Sequence, residues 1–310
     1  MAQIITRSIP GLLPNLPIPI SGGRPLNAYE EPRPCAAIFG LGLIGGSMAK
    51  ALAHHGGYDV LGFDRDPAAL SGLMADGAVG EEAVPAVLSR ADLVVLALPP
   101  DACRAVLLDI RDVLRPGTLV TDVCGIKKAV TDACLPLCQE RGLVFVGGHP
   151  MAGRERGGWQ NATHNLFRGA SYILTPPEGT PPSAMDTLRG FAESLGCACC
   201  TVTTPEHHDR MIAFTSQLPH VLAGAYVQSP ACPDHKGYSA GSYRDVSRVA
   251  AVDETLWSAL FSLNRDPLVE ELDGLIARLQ AARTAIASDD REAIAAVIRK
   301  GRLVKEELGE

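Results

Sequence analysis

From Cys35 onward the chain alternates short apolar runs with longer helical segments, and this alternation constrains the fold more than any other feature. CAAIFG, YDVLGFD, ADLVVLALP, GTLVTDV and LVFVGG are the apolar runs. LIGGSMAKALAHHG, DPAALSGLMADG, DACRAVLLDIRDVLRPG and KKAVTDACLPLCQERG fall between them. Runs that are apolar throughout, rather than at every second residue, need cover on both faces. Strands of that kind, linked by helices, make a parallel sheet between two helical layers. ASYILTPP, the helix SAMDTLRGFAESLG and CACCTVTT extend the pattern, so residues 35–204 are predicted to be one doubly wound α/β unit.

After Thr204 the strands stop. PEHHDRMIAFTSQLPHVLAGAYVQ reads as helical, and only helices follow the loop SPACPDHKGYSAGS, giving a smaller all-α domain over residues 205–310. Leu268, Leu272, Leu275, Ile276, Leu279 and Ile286 form one stripe at helical spacing, and Ile294, Val297 and Ile298 form another. A small domain of long amphipathic helices hides such stripes against a partner, so a homodimer through this domain is expected. Residues 1–34 hold seven prolines, which interrupt any apolar helix; the segment reads as an extended tail or linker, not a signal peptide.

Composition removes several classes of function. A net charge of -7 without a basic stripe argues against nucleic acid. No apolar run is long enough to span a membrane. The nine cysteines form no CxxC pair and sit mostly in apolar runs, which suits reduced, buried thiols in a cytoplasmic protein. A metal site at CACC is disfavoured because neighbouring strand residues point to opposite faces.

The stretch AIFGLGLIGGSMAKAL carries Gly40, Gly42 and Gly45 in G-x-G-x-x-G spacing, after a strand and opening a helix. Gly40 permits a tight turn, Gly42 lets a pyrophosphate approach the backbone, and Gly45 allows close helix packing. Leu43 and Ile44 open the helix whose N-terminus would receive the phosphates. Asp64 ends the next strand 19 residues after Gly45, where a carboxylate binds ribose hydroxyls and repels a 2′-phosphate. These are the marks of a Rossmann-type dinucleotide site for NAD, with NADP less favoured and Arg65 softening the preference. Leu98 and Pro99, at the end of LALPP, would line the dinucleotide at the switch point of the sheet.

LVFVGGHPMAGRERGG sends one imidazole, His149, out of the end of a strand. Together GLGLIGGS, TDVCGIK, GGHPMAGRERGG, HHDRMIAFTSQLPH and AGSYRDVSRVA occur in the order and spacing of the prephenate and arogenate dehydrogenases of tyrosine biosynthesis. The resemblance covers residues 35–290. It implies that His149 takes the proton of the substrate's ring hydroxyl during hydride transfer and that His220 contacts the substrate. It further implies that Arg248 anchors a substrate carboxylate, with Glu155 in an ionic network near it. Gly241, opening GSYRDVSR, falls at the substrate end. So does Gly125, which stands where the family often has a serine bonded to both the ring hydroxyl and the catalytic histidine. The thiol of the neighbouring Cys124 is too weak a donor to replace it; water or the backbone N–H near Ile126 are the alternatives.

The chemistry agrees with those roles. Prephenate is a dianion with a ring hydroxyl, so its site needs a cation and a base. A guanidinium donates two parallel hydrogen bonds to a carboxylate, and a neutral imidazole accepts a hydroxyl proton near neutral pH. No metal is required. The expected reaction is oxidative decarboxylation of prephenate to 4-hydroxyphenylpyruvate, with arogenate as the alternative substrate. A 3-hydroxy acid dehydrogenase is disfavoured because the helix from Glu206 offers no lysine before Lys236. A catalytically inactive NAD-binding or sensing protein is the reading of a different class.

Plainer roles are expected elsewhere. His54, His55, His207 and His208 read as surface or capping residues, and Lys127 and Lys128 as a solvated helix start. Trp159 and Trp257 read as packing. Out of context Arg248 would pair with Asp245 one turn earlier.

Overall fold

The structure, a computed structural model, describes residues 18–19, 33–55, 57–154 and 156–309. Among these residues nine strands make one sheet: β1 (Ile18–Pro19), β2 (Cys35–Phe39), β3 (Asp59–Phe63), β4 (Glu81–Glu82), β5 (Leu93–Leu96), β6 (Leu119–Asp122), β7 (Val144–Pro150), β8 (Ser171–Thr175) and β9 (Cys199–Val202). Their order is β1-β9-β8-β7-β6-β5-β2-β3-β4. From β4 to β7 every pairing is parallel. The chain leaves β2 for β3 on one side and returns to β5 on the other, which makes the crevice between β2 and β5 the switch point.

Both faces of this sheet are covered, as the continuous apolar runs predict. Residues alternate between the faces along a strand. Ala36 and Ile38 of β2 join one core, with Met48 and Leu52 of the helix Leu43–His55 and Leu188 and Phe191 of the helix Pro182–Ser194. Cys35, Ala37 and Phe39 join the other, with Cys103 and Leu107 of the helix Pro100–Ile110 and Val130 and Cys134 of the helix Lys128–Gln139. None of the nine cysteines is in a disulfide, and seven are buried.

Two features depart from the expected all-parallel sheet. β8 runs antiparallel to β7, pairing Tyr172 with Pro150 and Thr175 with Gly147. Among the described residues the link between them holds the single turn Trp159–Asn161 and no covering helix, so the chain doubles back at the carboxyl end of β7 instead of crossing over. In the proline-rich segment, Ile18–Pro19 pairs antiparallel with Cys199–Cys200 as an edge strand. The rest of that expected tail before Arg33 lies outside the described residues.

Two compact units emerge. One runs to Asp209 and includes Ala251–Leu263; the other is Arg210–Ala250 with Asn264–Glu310. The sheet lies wholly in the first, and the second contains no strand among the described residues. In the second unit the helical stretch after Ile212 widens into a π-helical turn, Ala213–Gln217, before the helix Leu218–Val227. Gln217 there accepts a hydrogen bond from Asn264 at 2.7 Å. The long helix Arg265–Ala287 is followed by Arg291–Leu308, whose start is fixed by Asp290 accepting from the N–H groups of Glu292 and Ala293. Among the described residues no helix is long and apolar enough to cross a membrane.

Candidate active site

The glycine turn at the end of β2 is built as the spacing predicts. Gly40 has a φ of +90°, and a Cβ there would lie 2.2 Å from the carbonyl oxygen of Ala97. A Cβ on Gly45 would lie 1.9 Å from the Gly40 carbonyl oxygen, so the helix Leu43–His55 sits against its own entry turn. Backbone blocks both positions and no side chain can yield; at Gly42, by contrast, nothing comes within 4 Å. The middle glycine therefore faces open space in front of a helix N-terminus whose first N–H groups, from Leu43 and Ile44 on, lack intrahelical acceptors. A pyrophosphate fits that cradle.

Asp64 closes the turn from the next strand. Its Oδ2 accepts the Leu41 N–H at 2.6 Å and its Oδ1 accepts the Asp66 N–H at 2.8 Å. A carboxylate offers about four acceptor positions, so these bonds aim Asp64 and leave capacity for ribose hydroxyls. Leu98 and Pro99 follow β5 across the switch point, and the Leu98 carbonyl accepts from the Cys124 thiol at 3.3 Å, joining the ends of β5 and β6. The Cys124 thiol is held well above its ordinary range, first by its contact with Cys103 and then by burial.

His149 lies at the carboxyl end of β7, three inter-strand steps from β2, or about 14 Å. The glycine turn, Leu98, Gly125 and His149 thus share one edge of the sheet, where ligands of open α/β sheets bind. His149 is half-buried, and its imidazole is held well below the ordinary histidine value by burial, then by His208 and Lys127. The imidazole is therefore neutral at neutral pH. Its Nδ1 lies 2.9 Å from Nε2 of His208, whose Nδ1 lies 2.7 Å from Oδ1 of Asp209. Asp209 in turn accepts the backbone N–H of Lys127 at 2.7 Å and of Lys128 at 2.9 Å, at the start of the helix Lys128–Gln139.

Beneath this chain runs a buried ion pair. Lys127 Nζ donates to Asp122 Oδ2 and, at 2.5 Å, to the carbonyl of Gly148. It fastens the end of β6 to the residue just before His149. Lys127 is fully buried, against the expectation of a solvated helix start; Lys128 is exposed. His208 is 1% exposed, so it is not a surface residue either. The HHD triplet gave the signal that was missed. At the start of a helix, histidine and aspartate side by side can reach backward to another helix's N-terminus and to a strand end.

Gly125 follows β6, and a Cβ there would meet only the Leu260 methyls, at 3.9 Å. Glycine therefore brings no side chain to His149 from that position. Trp159 packs over Gly72 and Trp257 against Phe261 at 5.5 Å, as expected of packing residues. Glu155 lies outside the described residues.

The second unit ties His220 to the turn that begins with Arg248. His220, in the helix Leu218–Val227, donates from Nδ1 to the carbonyl of Val249 at 2.9 Å. Val249 sits in the single turn Arg248–Ala250, which follows the helix Gly241–Ser247. The bond leaves His220 Nε2 as its acceptor, and burial lowers that imidazole's affinity for a proton. Arg248 is exposed and Gly241 half-buried.

Known proteins resemble most of this chain. The nucleotide-binding domain of prephenate dehydrogenase matches residues 48–200, and the dimerization domain of prephenate dehydrogenase matches residues 204–300. A cyclohexadienyl dehydrogenase of Zymomonas mobilis is 34% identical over 267 residues, 82% of this chain and 89% of that protein. The crystal structure of Synechocystis arogenate dehydrogenase aligns with a TM-score of 0.76 at 27% identity, covering 88% of this chain and 99% of that one. Prephenate dehydrogenase from Aquifex aeolicus, solved with hydroxyphenyl propionate and NAD+, gives 0.78 at 25% identity over 90% of this chain and all of that one. A glycine turn made for a dinucleotide, a neutral histidine on the same sheet edge, and family domains matched over residues 48–200 and 204–300 lead to one conclusion: the chain belongs to the prephenate dehydrogenase family.

Proposed function

We propose that this chain oxidatively decarboxylates prephenate to 4-hydroxyphenylpyruvate, with NAD as the acceptor, in the making of tyrosine. The observation that carries the reading is His149, a neutral imidazole on the sheet edge that begins with the glycine turn. When bound, NAD accepts the hydride from the ring carbon that bears the hydroxyl. Gly40, Gly42 and Gly45, the helix start at Leu43 and Ile44, and Leu98 and Pro99 would hold it. Asp64 would bond the ribose hydroxyls, which favours NAD over NADP.

His149 takes the hydroxyl proton on Nε2 as the ring carbon becomes a carbonyl carbon. The bond to the ring carboxylate then breaks, its electron pair enters the ring, and carbon dioxide leaves. The ring becomes aromatic, and the imidazolium returns its proton to the phenolate oxygen. The histidine ends neutral, and no net proton is consumed. Arg248 would anchor a carboxylate of the dianion and His220 would contact the substrate through Nε2, with Glu155 and Gly241 assigned to the same end by the resemblance alone.

Arogenate is the second reading, favoured by the likeness to a cyclohexadienyl and an arogenate dehydrogenase. The two substrates differ only in a keto acid or amino acid side chain. Rates measured in parallel with prephenate and arogenate, each with NAD and NADP, decide between them. Binding of NAD without NADH from either substrate would leave an inactive NAD-binding protein instead. The helical unit is proposed to make a homodimer, supported by the exposed Ile276, Leu279, Ile286 and Ile298.

A further inference from the structure

We infer that His208 and Asp209 act as a positioning pair, fixing His149 in the one tautomer that leaves Nε2 bare to receive the substrate's proton. The inference rests on the proposed reaction and adds to it the groups that make the base a base.

The hydrogen bonds run outward from the start of the helix Lys128–Gln139. A helix N-terminus carries unpaired N–H groups and the positive end of the dipole, so a carboxylate there is held as an acceptor. Asp209 occupies that place, accepting the Lys127 and Lys128 N–H groups on its two oxygens. The oxygen 2.7 Å from His208 Nδ1 can therefore only accept, and His208 must carry its proton on Nδ1. Burial keeps His208 neutral, although Asp209 opposes this. A neutral imidazole protonated on Nδ1 has a lone pair on Nε2. That lone pair faces His149 Nδ1 at 2.9 Å, so His149 donates there. Its own Nε2 is left without the proton. Each link has one permitted polarity, and the sequence of donors ends at the atom that does the chemistry.

The same geometry answers what orients His149 where a serine is missing. At Gly125 no side chain reaches the imidazole, and His208 holds it from the opposite ring nitrogen. His208 and Asp209 touch neither hydroxyl nor hydride in this scheme; they act through His149.

Histidine-selective 15N labelling of the full chain, with long-range proton–nitrogen correlation at neutral pH, reads the tautomer directly. His149 is assigned by its loss in His149→Asn. The expected spectrum shows Nδ1 protonated and Nε2 bare; a protonated Nε2 overturns the inference, whether or not any variant folds. In His208→Leu the acceptor is gone, and kcat should fall about 10²- to 10⁴-fold with NAD binding unchanged. In His208→Gln the amide oxygen can accept, and most of that loss should be recovered. Equal loss in both variants would mean that His208 is needed only for packing. If wild type oxidises neither prephenate nor arogenate, the proposed reaction fails, while the tautomer measurement still judges the relay.

Discussion

The sheet unit and the helical unit treat apolar surface in opposite ways. In the first, both faces of the sheet are covered by the chain's own helices, and Ile38, Leu52, Leu93 and Val95 are inaccessible. In the second, the helix Arg265–Ala287 buries only Leu268 and Ala285, and Arg291–Leu308 buries nothing. Ile286 is 65% exposed and Ile298 67%. Large apolar faces left in water mark surfaces that another protein covers. The proposed base thus sits on a unit whose apolar surface its own helices cover, and the proposed carboxylate anchor on one that leaves such surface exposed. Chemistry and substrate capture should therefore respond differently to mutation.

The largest effect is expected at the base. His149→Asn should lower kcat about 10²- to 10⁴-fold while the dissociation constant for NAD, read by titration, stays the same. Retained turnover would remove His149 as the base. The pH dependence has a defined sign. Burial, His208 and Lys127 all hold His149 below its usual 6.5, so the free enzyme keeps its base neutral as the pH drops past that value. The acidic limb of kcat/KM should lie below pH 6.5. Folding follows the same sign: the unfolded chain takes up the proton first, so stability falls as the pH drops from 6.5 toward the native value. An acidic limb above pH 6.5 contradicts this placement.

In the helical unit the expected change is in binding. Arg248→Ala should raise KM for the substrate about 10- to 100-fold, the loss of charged hydrogen bonds worth about 1.5–3 kcal/mol. KM for NAD should move far less; equal shifts would show that Arg248 is structural. A charge on the exposed face tests the comparison itself. Ile298→Glu should shift sedimenting mass toward the monomer at micromolar concentration, with NAD binding by the sheet unit unchanged. A mass equal to that of the wild type would count against an interface through the last helix.

The two units also differ in how plainly the sequence announces them. Continuous runs such as CAAIF and LVVL, short and set between helical segments, read as central strands, and the spacing of the fingerprint glycines lies within one turn. Those features were legible because their cause lies within a few residues. The reversed β8 was not, since its direction depends on what the link after β7 lacks. His208 and Lys127 were misread for a related reason. A polar residue is surface by default, and its burial here is set by partners far along the chain: Lys127 to Asp209 spans 82 residues and His149 to His208 spans 59. Spacing shows which residues share a helix face; it does not show which strand end a side chain will meet.

The smallest effect separates the two ways of orienting the base. Gly125 stands where the resemblance would put a serine, and a Cβ there meets only the Leu260 methyls at 3.9 Å, so Gly125→Ser has room without backbone adjustment. With His149 Nδ1 already bonded to His208, the new hydroxyl can add no more than one neutral hydrogen bond at the substrate side. Such a bond is worth about 0.5–1.5 kcal/mol, which predicts a two- to tenfold rise in kcat/KM, with NAD affinity unaltered. A rise of several hundredfold would mean that His208 orients the imidazole poorly and that the glycine is a real defect. A fall of more than tenfold would mean that the serine captures Nε2 for itself, because a hydroxyl donating to the bare nitrogen competes with the proton that nitrogen must accept.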